Sequence, residues 1–289
     1  MPPSLAPSRS PPPAQAPVPP SADSQAVADY YAGLQRRMLS RGLLRTDRGG
    51  PDAPYNARIL AQNFLRIVFN DEYGPGSRGP DDSRETADRL HRWAGPVRMS
   101  LDFGPTVPAS EQAADRAYVI AYAARLSTLT GLPIRVGAEP GNFHVLVLNE
   151  DERRVIGPQL RALIPGIDAQ TVATIEAMPL STYCLVYAFS PTGSFVDTQA
   201  VAVIRAEHPE LMRQACYEEE LAQGLGPAND SPAARPSIFN DDQEYALLTS
   251  QDGLILKLLY DARLQPGMTA AEAEPVVRDL AEEMLGDRL

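Results

Sequence analysis

The order of the β-prone runs between residues 94 and 206 constrains the fold most. PVRMSLDF alternates as a strand, and Glu111 to Leu129 then carries Ala114, Ala117, Val119, Ile120, Tyr122, Ala123 and Leu126 at helical spacing. GLPIRVG and NFHVLVLNE follow as two more strands. Strand, long helix, strand, strand predicts an α/β (α+β) domain with a mixed sheet and the long helix covering one of its faces. Residues 150 to 178 read as helical with a break at Pro165 and Gly166. TYCLVYAF and TQAVAVIRA are then two further strands around the turn SPTGSFVD.

Helices flank this core. Val27, Tyr30, Tyr31, Leu34, Met38 and Leu43 fall near helical spacing behind Ser24, a suitable N-cap, and a second helix runs from Tyr55 to about Phe69. Leu90, His91 and Trp93 read as a short helix that packs against the domain. Past residue 209 the chain is helical through Leu225 and stops at Gly226 and Pro227. A loop to about Asp242 precedes a helix from Asp252 to Tyr260 and a last amphipathic helix from Ala270 to Leu285.

Residues 1–23 differ in kind. MPPSLAPSRSPPPAQAPVPP has too much proline for helix or sheet and too little apolar surface to collapse, so it reads as a disordered, Pro-rich tether. Such a segment suits either the span between an envelope anchor and a folded domain or a plain low-complexity tail. The expected division is the tether, then one domain over 24–289: N-terminal helices at 24–93, sheet and helices at 94–226, and a C-terminal loop and helices at 227–289. A formal charge of −11 disfavours a nucleic-acid or anionic-membrane surface. No run of about 18 apolar residues is present to span a bilayer, and no secretory signal is recognisable at residue 1.

Polar chemistry concentrates in Cys216 to Asn240, CYEEELAQGLGPANDSPAARPSIFN. On a helix, Leu211, Ala215, Ala222 and Leu225 form an apolar stripe that includes Glu218. Glu219 and Gln223 sit one turn apart along its edge, while Glu220 points away. A carboxylate and a carboxamide, Glu219 and Gln223, thus share one partly buried wall, and an ionised carboxylate there needs a partner. Registered on Gly226, the stretch resembles the metzincin metalloproteases, whose helix carries His-Glu-x-x-His-x-x-Gly-x-x-His. The three zinc histidines then fall on Glu219, Gln223 and Asn229, the catalytic glutamate on Glu220, and the methionine of the following turn near Phe239. The strand order and LTSQDGLILKLLYD resemble that fold as well.

A second resemblance covers most of the chain after the tether. C-x-x-E-E-L-A-Q-x-L-G-x-x-N-D-S, P-S-I-F-N-D-D, L-Y-D-x-R-L and P-G-M-T are similar to the bacterial domain-of-unknown-function family 2927. It implies a secreted or lipid-anchored, periplasmic or cell-envelope protein with no established activity. Together the two resemblances imply a zincin-like domain, a pseudo-metalloprotease that has lost its zinc ligands.

Two readings of the glutamates stand side by side. Either one inward carboxylate caps backbone or pairs with an arginine such as Arg205, Arg213 or Arg235, or Glu219, Asn229, Asp230, Asp241 and Asp242 form an oxygen-rich site suited to calcium. Zinc is disfavoured because Gln and Asn amides are feeble zinc ligands, so no cofactor and no metal ligand is assigned. The candidate groove positions are Glu218, Glu219, Glu220, Gln223, Asn229, Asp230, Ser237, Asn240 and Asp241. Cys184 and Cys216 are expected to bridge, against two buried free thiols. Cys216 as a nucleophile is disfavoured, its nearest histidine, His208, lying about two turns away. No Gly-rich phosphate loop or Gly-x-Ser-x-Gly elbow occurs. The leading expectation is a non-catalytic binding or structural domain of the envelope whose partner is a protein or envelope component. The alternative is a metal-dependent hydrolase with an atypical oxygen-ligand site.

Overall fold

The computed structural model describes residues 19–71, 86–87, 89–137, 140–240 and 242–286. In chain order its elements are α1 (Ala22–Ser40), α2 (Ala57–Val68), β1 (Asn70–Asp71), β2 (Thr86–Ala87), β3 (Arg92–Trp93), β4 (Val97–Phe103), α3 (Ala109–Thr130), β5 (Ile134–Val136), β6 (Phe143–Leu148), α4 (Glu150–Arg153), α5 (Gly157–Leu163), α6 (Ala169–Glu176), β7 (Cys184–Phe189), β8 (Val196–Asp197), β9 (Gln199–Arg205), α7 (Glu210–Gln223), α8 (Ser250–Leu259) and α9 (Ala270–Leu285). The fold is α/β. Five strands form a mixed sheet in the order β5-β4-β6-β9-β7, parallel throughout except for β7, which runs antiparallel to β9 at the edge.

Every residue of β6 is buried, which explains why it reads as an unbroken apolar run: helices cover the sheet on both faces. Val97, Met99 and Leu101 of β4, Phe143, Val145 and Val147 of β6, and Ala200, Ala202 and Ile204 of β9 share one core with α2, α3, α7, α8 and α9. Leu146, Leu148, Leu185, Val201 and Val203 point the other way. They pack on Ile156, Leu160, Ile164, Val172 and Ile175 from the α5–α6 segment.

Two expected elements differ. The cap of α1 is Ser21, whose side chain accepts from the Ser24 amide, so Ser24 lies inside a helix that begins at Ala22. Residues 1–18 of the expected tether lie outside the described residues. Leu90, His91 and Trp93 form no helix: β3 pairs parallel with β8, Arg92 with Val196 and Trp93 with Asp197. Arg92 Nη1 donates to the Leu259 and Asp261 carbonyls at 2.6 and 3.1 Å, contacts that an extended backbone makes across the sequence.

The side chain of His208, immediately before α7, docks α1. Its ring lies edge-on to Tyr31 with centroids 4.3 Å apart, and Nε2 donates to the Tyr183 carbonyl at 2.8 Å. Burial pushes the imidazole down to about 3, so it stays neutral in the fold while the unfolded chain takes up a proton near 6.5. Stability from this depressed pKa is therefore full above pH 6.5 and falls as the pH drops from 6.5 towards 3. Urea unfolding at pH 7 and pH 5 should show a smaller acid loss in His208→Gln than in wild type.

Helix α7 is buried nearly all round, and this explains two departures from the expected stripe. Leu211 and Ala215 are only partly buried and pack on the α1 side, whereas Glu220, expected to point away, is 5 % exposed. Cys216 is bridged to Cys184, 32 residues apart in sequence, which pins α7 to the start of β7. Replacing both cysteines by serine should cost about 4 kcal/mol in urea unfolding, the chain-entropy value for such a loop.

Glu218 is the inward carboxylate. Its partners are Arg48 at 3.1 Å, Arg125 at 3.5 Å, the Tyr118 hydroxyl at 2.7 Å and the Leu248 amide at 2.6 Å. The three arginines expected to serve it are spent elsewhere: Arg205 on Glu150, Arg213 on Asp115, Arg235 on Glu244. Glu218→Ala strands the Leu248 amide and should cost about 3 kcal/mol. Arg48→Ala should cost clearly less, since Arg125 and Tyr118 still hold the carboxylate.

Candidate functional site

The end of α7 meets β3, β7 and α8. The last carbonyls of a helix lack partners within it, and here side chains supply them: Trp93 Nε1 donates to Gly224 O at 2.8 Å and the Tyr260 hydroxyl to Leu225 O at 2.7 Å. Trp93 also stacks on Phe143 with centroids 6.3 Å apart. A Cβ on Gly224 would meet Phe143 Cζ at 2.6 Å. Gly226 has φ +126°, and a Cβ there would lie 2.7 Å from the His91 carbonyl. Glycine is needed at both positions because the chain passes directly over the sheet and β3.

Between this helix end and the edge strand lies a cavity of about 190 Å³. It is lined by Val186, Tyr187 and Ala188 of β7, by Gln223, Gly224 and Gly226 at the end of α7, and by His91, Ser190 and Asp197. Asp197 is buried and holds Ser190, which in turn meets the imidazole: Ser190 donates to Asp197 at 2.8 Å, and His91 Nδ1 is 3.2 Å from Ser190 Oγ and 3.5 Å from Asp197 Oδ1. Both oxygen-bearing groups therefore meet the same ring nitrogen. Ser190 bridges carboxylate and imidazole and is not placed as a nucleophile with His91 as its base. Asp197 Oδ2 has no hydrogen-bond partner among the described residues, which leaves acceptor capacity beside the cavity.

The structure divides the expected groove residues. Gln223 reaches the cavity, and its Nε2 donates to Asp230 Oδ1 at 2.9 Å. Asn229 is buried and ties the loop to α2: Nδ2 donates to the Arg66 carbonyl and its backbone amide to the Ile67 carbonyl, both at 3.1 Å. Glu219 and Glu220 bring carboxylate oxygens within 4.8 Å of each other and of Cys184 Sγ, a sulfur already committed to the disulfide. Glu218 faces the α3 side. Ser237 is buried with its hydroxyl on Asp252, and Asn240 Nδ2 donates to the Ala234 carbonyl at 2.8 Å, so both brace the loop from within. Asp242 accepts from the Glu244 amide as a turn residue, and Asp241 lies outside the described residues.

Sequence reasoning took His91 for a packing residue and Ser190 and Asp197 for parts of a turn. Only the long-range β3–β8 pairing brings them together, and no local spacing signals it.

A family model described as "Protein of unknown function (DUF2927)" matches residues 57–279, from the start of α2 into α9. No curated protein and no solved structure matches the chain. No helix among the described residues is long and apolar enough to cross a membrane. The match takes in the sheet, α7 and every residue of the cavity, and the chain belongs to the DUF2927 family.

Proposed function

We propose that this chain is a non-catalytic, zincin-like binding domain of the bacterial cell envelope, with the cavity between β7 and the end of α7 as its ligand groove. The observation that carries the reading is the use made of the positions where a metzincin would hold zinc. The Gln223 amide is engaged by Asp230 and the Asn229 amide by the Arg66 carbonyl, so both serve as struts that fix the loop after α7. The sequence of strand, long helix and two strands, followed by a hairpin feeding the central helix, supports the zincin-like layout. The disulfide supports a compartment that is oxidising, as the envelope is.

β7 is the outer strand of the sheet among the described residues, and it forms the groove wall. A protein segment in extended conformation is the partner such a wall suits, because main-chain groups at a sheet edge pair with an added strand. His91, linked through Ser190 to Asp197, adds a polar contact to the same cavity.

One observation favours a second reading, the paired carboxylates of Glu219 and Glu220. In that reading Glu219, Gln223, Asn229 and Asp230 hold a hard divalent cation and Glu220 is the general base of a hydrolase. Metal analysis of dialysed protein separates the two, together with casein and peptidoglycan digestion across a panel of divalent ions. The expected result is no retained metal, no turnover with any ion and no change of melting temperature in chelator. Stoichiometric metal that survives dialysis and disappears in Glu219→Ala would overturn the non-catalytic reading.

A further inference from the structure

Helix α1 packs on the domain through the side that carries Ser24, Tyr31 and Met38, its buried residues. Gly33 lies about half a turn round the helix from them. On this outer side Ala26, Asp29, Tyr30, Arg36, Arg37 and Arg41 are all exposed. Tyr30, at 41 %, is one of the large hydrophobic side chains left in solvent. Asp23 is paired with Arg154 at 3.3 Å, whereas Asp29, Arg36, Arg37 and Arg41 make no ion pair among the described residues. Exposure alone does not leave an arginine unpaired in this chain: Arg235 holds Glu244 at 2.6 Å and Arg263 holds Glu283 at 2.7 Å.

The outer face of α1 is self-complementary about Gly33. Asp29 stands four residues before the glycine and Tyr30 three, about 6 and 4.5 Å along the axis. Arg37 stands four residues after it and Arg36 three, at the same distances in the other direction. At about 100° per residue, Asp29 and Arg36 fall on one flank of Gly33, and Tyr30 and Arg37 on the other. A two-fold axis through Gly33 that sets two copies of α1 antiparallel therefore brings Asp29 of each level with Arg36 of the other, and Tyr30 level with Arg37. Two carboxylate–guanidinium pairs and two guanidiniums over phenol rings form at once. Glycine at the centre lets the helices approach closely. A Cβ there would meet only Arg37 Nη1 at 3.3 Å and Arg36 Nη2 at 3.8 Å, the ends of exposed side chains that swing across to the second copy.

We propose that two copies of this chain associate through antiparallel α1 helices, in an isologous dimer centred on Gly33. A small anion would satisfy the arginines and leave Asp29 and Tyr30 unused, whereas a second copy engages all four side chains. One helix pair buries less than a standard interface, so the dimer is a weak one, with a dissociation constant in the micromolar range. The family match begins at residue 57, after α1, and the contact does not rest on the function proposed for the β7 groove.

Sedimentation equilibrium of the full chain, from micromolar to submillimolar concentration, tests this. A monomer–dimer equilibrium is expected, weakened at least tenfold in Asp29→Arg, in Arg36→Asp and in Gly33→Leu. An equimolar mixture of Asp29→Arg and Arg36→Asp should recover dimer to near the wild-type affinity, because the two changes restore opposite charges at both contacts. Circular dichroism checks that each variant is folded, and should one fail, the remaining ones decide. A monomer at every concentration, unchanged affinity in the folded variants, or a mixture that stays monomeric would overturn the proposal.

Discussion

The carboxylate of Glu218 joins α7 to three other parts of the chain. Arg48 comes from the segment between α1 and α2, Arg125 and Tyr118 from α3, and the Leu248 amide from the approach to α8, while the Tyr122 hydroxyl bonds the carbonyl of Glu218 itself at 2.6 Å. A buried ion pair seldom adds net stability over an apolar isostere, but once present it tolerates only the arrangement that satisfies it. Here that arrangement fixes the rotation of α7 about its own axis. With Glu218 turned toward α3, Cys216 reaches β7 and Gln223 reaches the cavity beside the sheet edge.

The same logic runs along the rest of α7. Arg213 and Tyr217 both bond Asp115 of α3, at 2.8 and 3.0 Å. Burial lifts the Tyr217 hydroxyl far above its ordinary range, so it stays protonated and donates to Asp115. A helix surrounded on all sides is usually apolar all round. This one is polar and compensated, with its partners drawn mainly from α3. The loop after it is braced in the same manner by Asp252, which accepts from Ser237, the Ile238 amide and Thr249 and which burial shifts toward the protonated form. Polar bracing thus holds both α7 and the loop after it against their neighbours.

How far the sequence carries follows from whether a signal is local. The strands and helices of the sheet region are legible because alternation and helical periodicity are properties of short windows, and α9 matches its expected bounds, Ala270 to Leu285. Glu219 is the carboxylate that the sequence places on a partly buried wall, whereas Glu218 is legible only as a member of the apolar stripe. Its partners are not, since Arg48 and Leu248 lie 170 and 30 residues away. Residues 90–93 mislead for a related reason: Trp93 and Arg92 are held extended by carbonyls of α7 and of α8 and the turn after it, and tertiary bonds override a weak local helical preference. The inward turn of Glu220 was hidden because a stripe argument assumes one solvent face, and α7 has almost none.

That enclosure also bears on what the side chains at positions 219, 223 and 229 do here. A zinc site needs ligands whose lone pairs are aimed at an open position. Two of the three corresponding side chains here point their amide donors at fixed acceptors, Asp230 and the Arg66 carbonyl. Histidine at 229 would give up the side-chain bond that holds the loop to the end of α2, and histidine at 223 would give up the bond to Asp230. Recovering a metal site would therefore require remaking the loop as well as the ligands. His91, Ser190 and Asp197 reach the same cavity through the β3–β8 pairing, which does not involve α7, so the polar lining beside Gln223 is set by a different part of the chain.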